Sequence, residues 1–209
     1  MSRERQLKKQ EEIRNKILNI AKKIITEKGV EHLSIRKITN ELDYSPGIIY
    51  HYFKDKNEII ETLAKDGYMK ILSAISKTKR DVNDPLMEIK SIFQAYINAV
   101  LDYPEEYKAF MLSNDPNIIE KTTVLEKGIS KRSKTMSLLT EIIQRGIDEG
   151  QFQDNDAELT AQIVWSSAFG LVIRLIIENK IGNDQKEKLI QKHFEILFNG
   201  LLKKEGGSV

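Results

Sequence analysis

The sequence predicts an all-α fold, and three observations carry that reading. Apolar residues recur at offsets of three and four along most of the 209 residues, as in Ile13, Ile17, Ile20, Ala21 and Ile24. Pro46, Pro85 and Pro104 follow turn or capping residues, where a helix can start and a missing N–H costs nothing. No long alternation of β-branched and polar residues offers a strand.

In chain order, the first clear helix runs from about Glu12 to Lys28 and stops at Gly29. Ahead of it, Arg3, Arg5, Lys8 and Lys9 form a basic start, readable as a solubilising tail or as an arm for phosphates. Ser34 is placed to cap a second helix with Ile35, Ile38 and Leu42 inward. Leu42-Asp43-Tyr44 makes a tight turn, and Ser45-Pro46 opens a third helix held by Ile49 and Phe53. A fourth begins near Asp55-Lys56 and continues to about Lys79. Asp84-Pro85 opens the next, with Ile89, Ile92, Phe93, Tyr96 and Val100 on one face. A short helix spans Pro104 to Met111. A long one is expected from about Ile118 or Leu125 to Glu149, stopped by Gly150. Two apolar helices follow, one carrying Leu159 to Ile176 and the last Leu189 to Leu201. Lys203 to Val209 reads as a tail.

Two short helices joined by a tight turn, Leu33 to Lys56, are the helix-turn-helix plan for entering a DNA major groove. Arg36 and Lys37 put positive charge in the first turn of the leading helix, against its dipole. A nearby phosphate would account for this; solvated surface cations are the other reading. Tyr50, His51 and Tyr52 stand in a row, and Ile48 is free to meet a methyl group.

The string S-x-x-x-I-x-x-x-L-x-x-S-P-G-x-x-Y-x-Y-F-x-x-K resembles the DNA-binding signature of the TetR family of transcriptional regulators. The chain departs from the family pattern at Asp43, where Gly is frequent, and at Tyr52, where His usually precedes the Phe. Asp tolerates left-handed backbone better than most residues. The string Q-R-G-I-D-E-G-Q-F, residues 144–152, resembles the family segment before its last two helices. The resemblance implies an all-α protein of about nine helices: a three-helix helix-turn-helix domain at 1–55, then a ligand-binding and dimerisation domain at 56–209. It implies phosphate contacts from Tyr50, Tyr52 and Lys56, with Ser34 and Ser45 adding hydroxyls. Gly47 would admit close backbone approach, and Pro46 and His51 would touch base edges or thymine methyls. It further implies a homodimer through the last two helices, where Ser166, Ser167, Ala168 and Gly170 allow close approach. The DNA partner would be a double-stranded palindromic operator.

The middle helices should enclose a pocket for a small, largely apolar inducer. Phe93, Tyr96, Phe110, Met111, Met136, Trp165 and Phe169 are its candidate lining. Charge supports the division: residues 1–60 hold 13 Lys and Arg against 9 Asp and Glu, while the rest holds 20 against 22. No cysteine is present, which excludes disulfides, thiolate chemistry and cysteine metal sites. His32, His51 and His193 lack metal or triad spacing, and there is no Gly-rich phosphate loop or nucleophile elbow. No enzyme, metal or cofactor is expected. No signal peptide and no run near the roughly 20 apolar residues of a membrane span is apparent, so a cytoplasmic protein is expected. A repressor is the leading reading; an activator, a co-repressor-dependent regulator and a helical protein-interaction module remain alternatives.

Overall fold

The computed structural model describes residues 3–113 and 115–203, so the tail expected at 203–209 lies, beyond Lys203, outside the described residues. Those described form ten α-helices: α1 (Arg3–Lys28), α2 (Ile35–Leu42), α3 (Pro46–Tyr52), α4 (Lys56–Ser76), α5 (Pro85–Asp102), α6 (Pro104–Met111), α7 (Pro116–Thr122), α8 (Lys134–Asp148), α9 (Ala157–Ile177) and α10 (Asn183–Asn199). Short 3-10 turns lie at Val30–His32 and Ile129–Lys131. No strand forms among the described residues; one isolated antiparallel bridge joins Phe152 to Leu202.

The chain folds as two compact units: described residues of 1–70 with 103–113, and those of 71–102 with 114–209. This differs from the expected split at 55/56, and packing explains why. Within the first unit, α6 lies on α4, with Phe110 stacked on Tyr68 at 4.2 Å. A Cβ on Gly67 would stand 2.3 Å from Cβ of Glu106, so only glycine admits this approach. The Glu106 carboxylate meets Lys22 Nζ at 2.9 Å, and the ammonium groups of Lys22 and Lys70 lie over the Tyr103 ring at 5.1 and 4.9 Å.

The head core is built by Ile17, Ala21, Ile24, Leu33, Ile38, Ile49, Phe53 and Ile59, all buried. The basic start is helical from Arg3, ahead of the expected Glu12. Residues 3–11 are good helix formers with no apolar stripe, so periodicity missed them while propensity still extends the helix. α1 ends at Gly29, whose φ of +90° few side chains accept.

In the second unit, α5, α8 and α9 bury Ile89, Phe93, Tyr96, Met136, Leu139, Ile142, Val164 and Trp165 against one another. The single helix expected over 118–149 is instead α7, a 3-10 turn and α8. Gly128 turns left-handed there, and the Ser133 hydroxyl accepts from Met136 N–H to start α8. Glu158 of α9 secures the intervening loop, accepting from Gly128 N–H at 2.6 Å and Ser130 N–H at 3.0 Å. These bonds, with that from the Ser130 hydroxyl foremost, hold its carboxyl below the usual carboxylate range. Glu88 is 0% exposed and is paired with Arg80 at 2.5 Å and with Arg145.

α9 corrects one expectation: it is long and apolar enough, by length and composition, to cross a membrane. Yet 44% of that stretch is buried inside the protein, and its first turns carry Glu158 and Gln162 bonded to the 124–130 loop. A helix packed in a helical core passes the same test as a membrane span.

Candidate nucleic-acid interface and body cavity

Local sequence builds the head surface in a few steps. Ser34 takes extended backbone and accepts from Lys37 N–H at 3.3 Å, which starts α2. Asp43 closes α2 in the left-handed region, φ 54°, the one non-glycine residue with positive φ among those described. That reversal sends the chain into α3 at Ser45-Pro46, with Pro46 at the first helical position. Ser45 sits at the cap position, but its side chain makes no capping bond. Ile49 and Phe53 then anchor α3 in the core, with Arg14 of α1 over the Phe53 ring at 5.0 Å. Asp55 Oδ1 accepts from Asn57 and Glu58 N–H to open α4, and Glu58 accepts from Lys54 N–H at 2.6 Å.

The consequence is a bare outward face. Ser45, Pro46, Gly47 and Ile48 are exposed in succession, followed on α3 by Tyr50 and His51. Arg36, Lys37 and Lys56 are exposed as well, whereas Ser34 is half-buried. Tyr52 is partly buried against the head core, edge-on to His51 with centroids 5.1 Å apart. Lys37 Nζ donates to the His32 carbonyl at 2.8 Å, a contact the sequence did not suggest. Gly47 has a specific meaning: a Cβ there would meet nothing closer than Ser45 Oγ at 3.8 Å. Nothing among the described residues requires a glycine at that helical position.

The second unit encloses a cavity of about 230 Å³. Phe93, Tyr96 and Trp165 line it, with the Tyr96 and Trp165 rings 5.1 Å apart. The remaining wall comes from Leu72, Ile75 and Ser76 of α4, Ile92 of α5, and Lys134, Thr135, Leu138 and Leu139 of α8. Four residues expected in the lining are placed elsewhere. Phe110 and Met111 belong to α6 in the head unit, where Phe110 stacks on Tyr68. Met136 faces fully into the core of its unit, and Phe169, partly buried on α9, is outside the lining. Choosing by residue type favoured aromatics and Met; the α4 and α8 contributors are aliphatic or polar residues whose role depends on how α4, α5, α8 and α9 meet.

Exposed apolar residues stand on the outward faces of α9 and α10. Leu159, Ile163 (58% exposed), Ser166 and Gly170 follow one another along α9, and Leu189 and Ile196 (64% exposed) along α10. Gly170 also has open space where a Cβ would stand. His193 of α10 shares a hydrogen bond with Ser167 of α9 at 3.3 Å, and burial lowers its pKa. Among the described residues no group of three or more His, Asp or Glu is placed to hold a metal ion.

A helix fixed by its apolar side on a three-helix core, offering serine, proline, glycine, tyrosine and histidine outward, defines a helix-turn-helix DNA-binding protein. Residues 17–63 match the family model described as bacterial regulatory proteins, tetR family. Over nearly the whole chain it is similar to the HTH-type transcriptional repressor KstR2 of Mycolicibacterium smegmatis, at 20% identity over 201 residues and 92% of both chains. It is also similar to the fatty acid metabolism regulator protein of Bacillus subtilis, at 24% identity over 88% of this chain and 93% of that one. A solved tetR-family regulatory protein from Rhodococcus RHA1 shares the fold, with a TM-score of 0.69 at 20% identity over 92% and 98% of the two chains. The head is thus similar to the DNA-binding domain of the tetR family, and nearly the whole chain is similar to DNA-binding transcriptional regulators.

Proposed function

We propose that this regulator is a repressor that holds a palindromic operator as a homodimer and leaves it when a small, largely apolar ligand fills the body cavity. The observation that carries the DNA part is the exposed run Ser45 to Ile48 with Tyr50 and His51, on a helix whose other side is locked in the core. In this reading Tyr50 and Lys56 contact phosphates, with Arg36, Lys37, Ser34, Ser45 and Tyr52 supporting them. Pro46, Gly47 and His51 meet base edges. The M. smegmatis relative is named a repressor, which favours that sign of regulation.

The dimer would form through α9 and α10. A mid-helix glycine costs up to about 1 kcal/mol relative to alanine, and Gly170 has no neighbour among the described residues to justify it. A second helix crossing at Gly170, flanked by Ile163 and Leu159, gives the glycine a purpose and covers the apolar stripe. The ligand would act through α4, because one helix supplies Lys56 at its start and Leu72, Ile75 and Ser76 to the cavity at its end. Such a ligand must bind the DNA-incompetent arrangement more tightly than the competent one. The B. subtilis relative is named a fatty acid metabolism regulator, in keeping with an apolar ligand here.

The test pairs light scattering with operator titration. The native chain is expected to run as a dimer and Ile163→Glu as a monomer, with operator affinity lost together with dimerisation. A native monomer at micromolar concentration, or full operator affinity in a monomeric variant, would overturn the proposal.

A further inference from the structure

We infer that the cavity takes a slender amphiphile with an anionic head, and that Lys134, with Thr135 beside it, receives the head at the mouth. The inference rests on the reading of this cavity as a ligand site and specifies the ligand's class. The wall is almost wholly apolar, formed by residues such as Phe93, Leu139 and Trp165, so it selects a hydrocarbon body. At about 230 Å³ the space lies below the roughly 300–1,000 Å³ of pockets for drug-sized ligands, which suits a narrow chain better than a broad ring system.

Lys134 is the charged residue of the lining and shares its exposure with Ser76. It is exposed yet lines the cavity, which places it at the rim. It makes no ion pair among the described residues, so its ammonium is available to an incoming anion. It is also the first residue of the 15-residue helix α8, whose first turn carries no acidic side chain. An ammonium there adds to the positive end of the helix dipole, so both act in the same direction on an incoming anion. Thr135 brings a hydroxyl to the same rim. Ser76, the other small polar residue of the lining, already donates its hydroxyl to the Ser73 carbonyl at 3.0 Å. An apolar body with one cationic end is the complement of a fatty-acid-like anion.

The experiment follows fluorescence of Trp165, the sole tryptophan, as the full-length native chain is titrated with decanoate or with 1-decanol at low salt. Decanoate is expected to bind about tenfold more tightly than the alcohol, as for a hydrogen-bonded charge pair. Lys134→Met should erase that preference, with a native-like helical circular dichroism spectrum and thermal midpoint showing that the variant is folded; Lys134→Arg should keep it. Equal binding of the two probes, or a preference that survives Lys134→Met, would overturn the head-group assignment and leave the cavity a ligand site. Binding of neither probe would overturn the cavity reading itself, and this inference with it.

Discussion

Gly47 and Glu88 illustrate two kinds of residue, one that the proposed function places against DNA and one that the fold itself requires. Glycine in a helix is destabilising by roughly 0.5–1 kcal/mol relative to alanine, and the space around Gly47 would accept a methyl group. Gly47→Ala is therefore expected to raise the thermal unfolding midpoint slightly while weakening operator binding several-fold. A calorimetric scan and a DNA titration on the same sample check the two effects, and improved stability with unchanged affinity would mean the glycine has no DNA role. Glu88 behaves oppositely. Its carboxylate is wholly buried and depends on Arg80 and Arg145, the latter only 20% exposed. Arg145→Met removes one partner from a buried charge, which costs about 3 kcal/mol. Urea unfolding should show that loss with little change in DNA affinity measured on the folded fraction.

At the scale of elements, the sequence was legible wherever a local signal decides the backbone. Ser34, Pro46, Pro85 and Pro104 mark helix starts because capping and the missing proline N–H act within one turn. Asp43 supplies the turn that glycine supplies elsewhere in the family pattern, at φ 54°. The break between α7 and α8 was also local, since Gly128 and Ser133 carry it, but the apolar residues on either side masked it. What lay out of reach was long-range: that α6 packs on α4 through Gly67 and Glu106, and that aliphatics of α4 and α8 line the cavity. These depend on how helices distant in sequence meet, which no periodicity encodes.

The contact of α9 with α10 carries a pH prediction. Burial lowers the His193 pKa from its ordinary 6.5, so the folded chain resists taking a proton that the unfolded chain accepts. In the window between the lowered value and 6.5 the unfolded state holds more protons, and stability rises with pH. Stability should therefore fall as pH drops below about 6.5, and His193→Gln should flatten that part of the profile. Thermal midpoints for both proteins between about pH 5.5 and 7.5 check the slope; an identical slope in the variant would assign it to other groups.

At the scale of the molecule, the proposed function makes charge and two-fold symmetry set how DNA is found and read. The head carries 13 basic against 9 acidic residues over 1–60, so binding should weaken steeply with salt, by counterion release. Lys56→Ala should lower that slope by about one counterion and weaken binding on any sequence. His51→Ala should instead relax preference at particular base pairs while leaving the salt slope intact.

The most direct measurement is selection of random duplex DNA by the purified full-length protein, followed by sequencing of what it retains. A two-fold symmetric regulator predicts a palindrome whose half-sites lie at least one helical turn apart, about 34–36 Å, centre to centre. The same selection with Tyr50→Phe and Lys56→Ala should retain the motif at lower yield. No enriched motif at low salt, or an asymmetric single half-site bound by a monomer, would contradict the account.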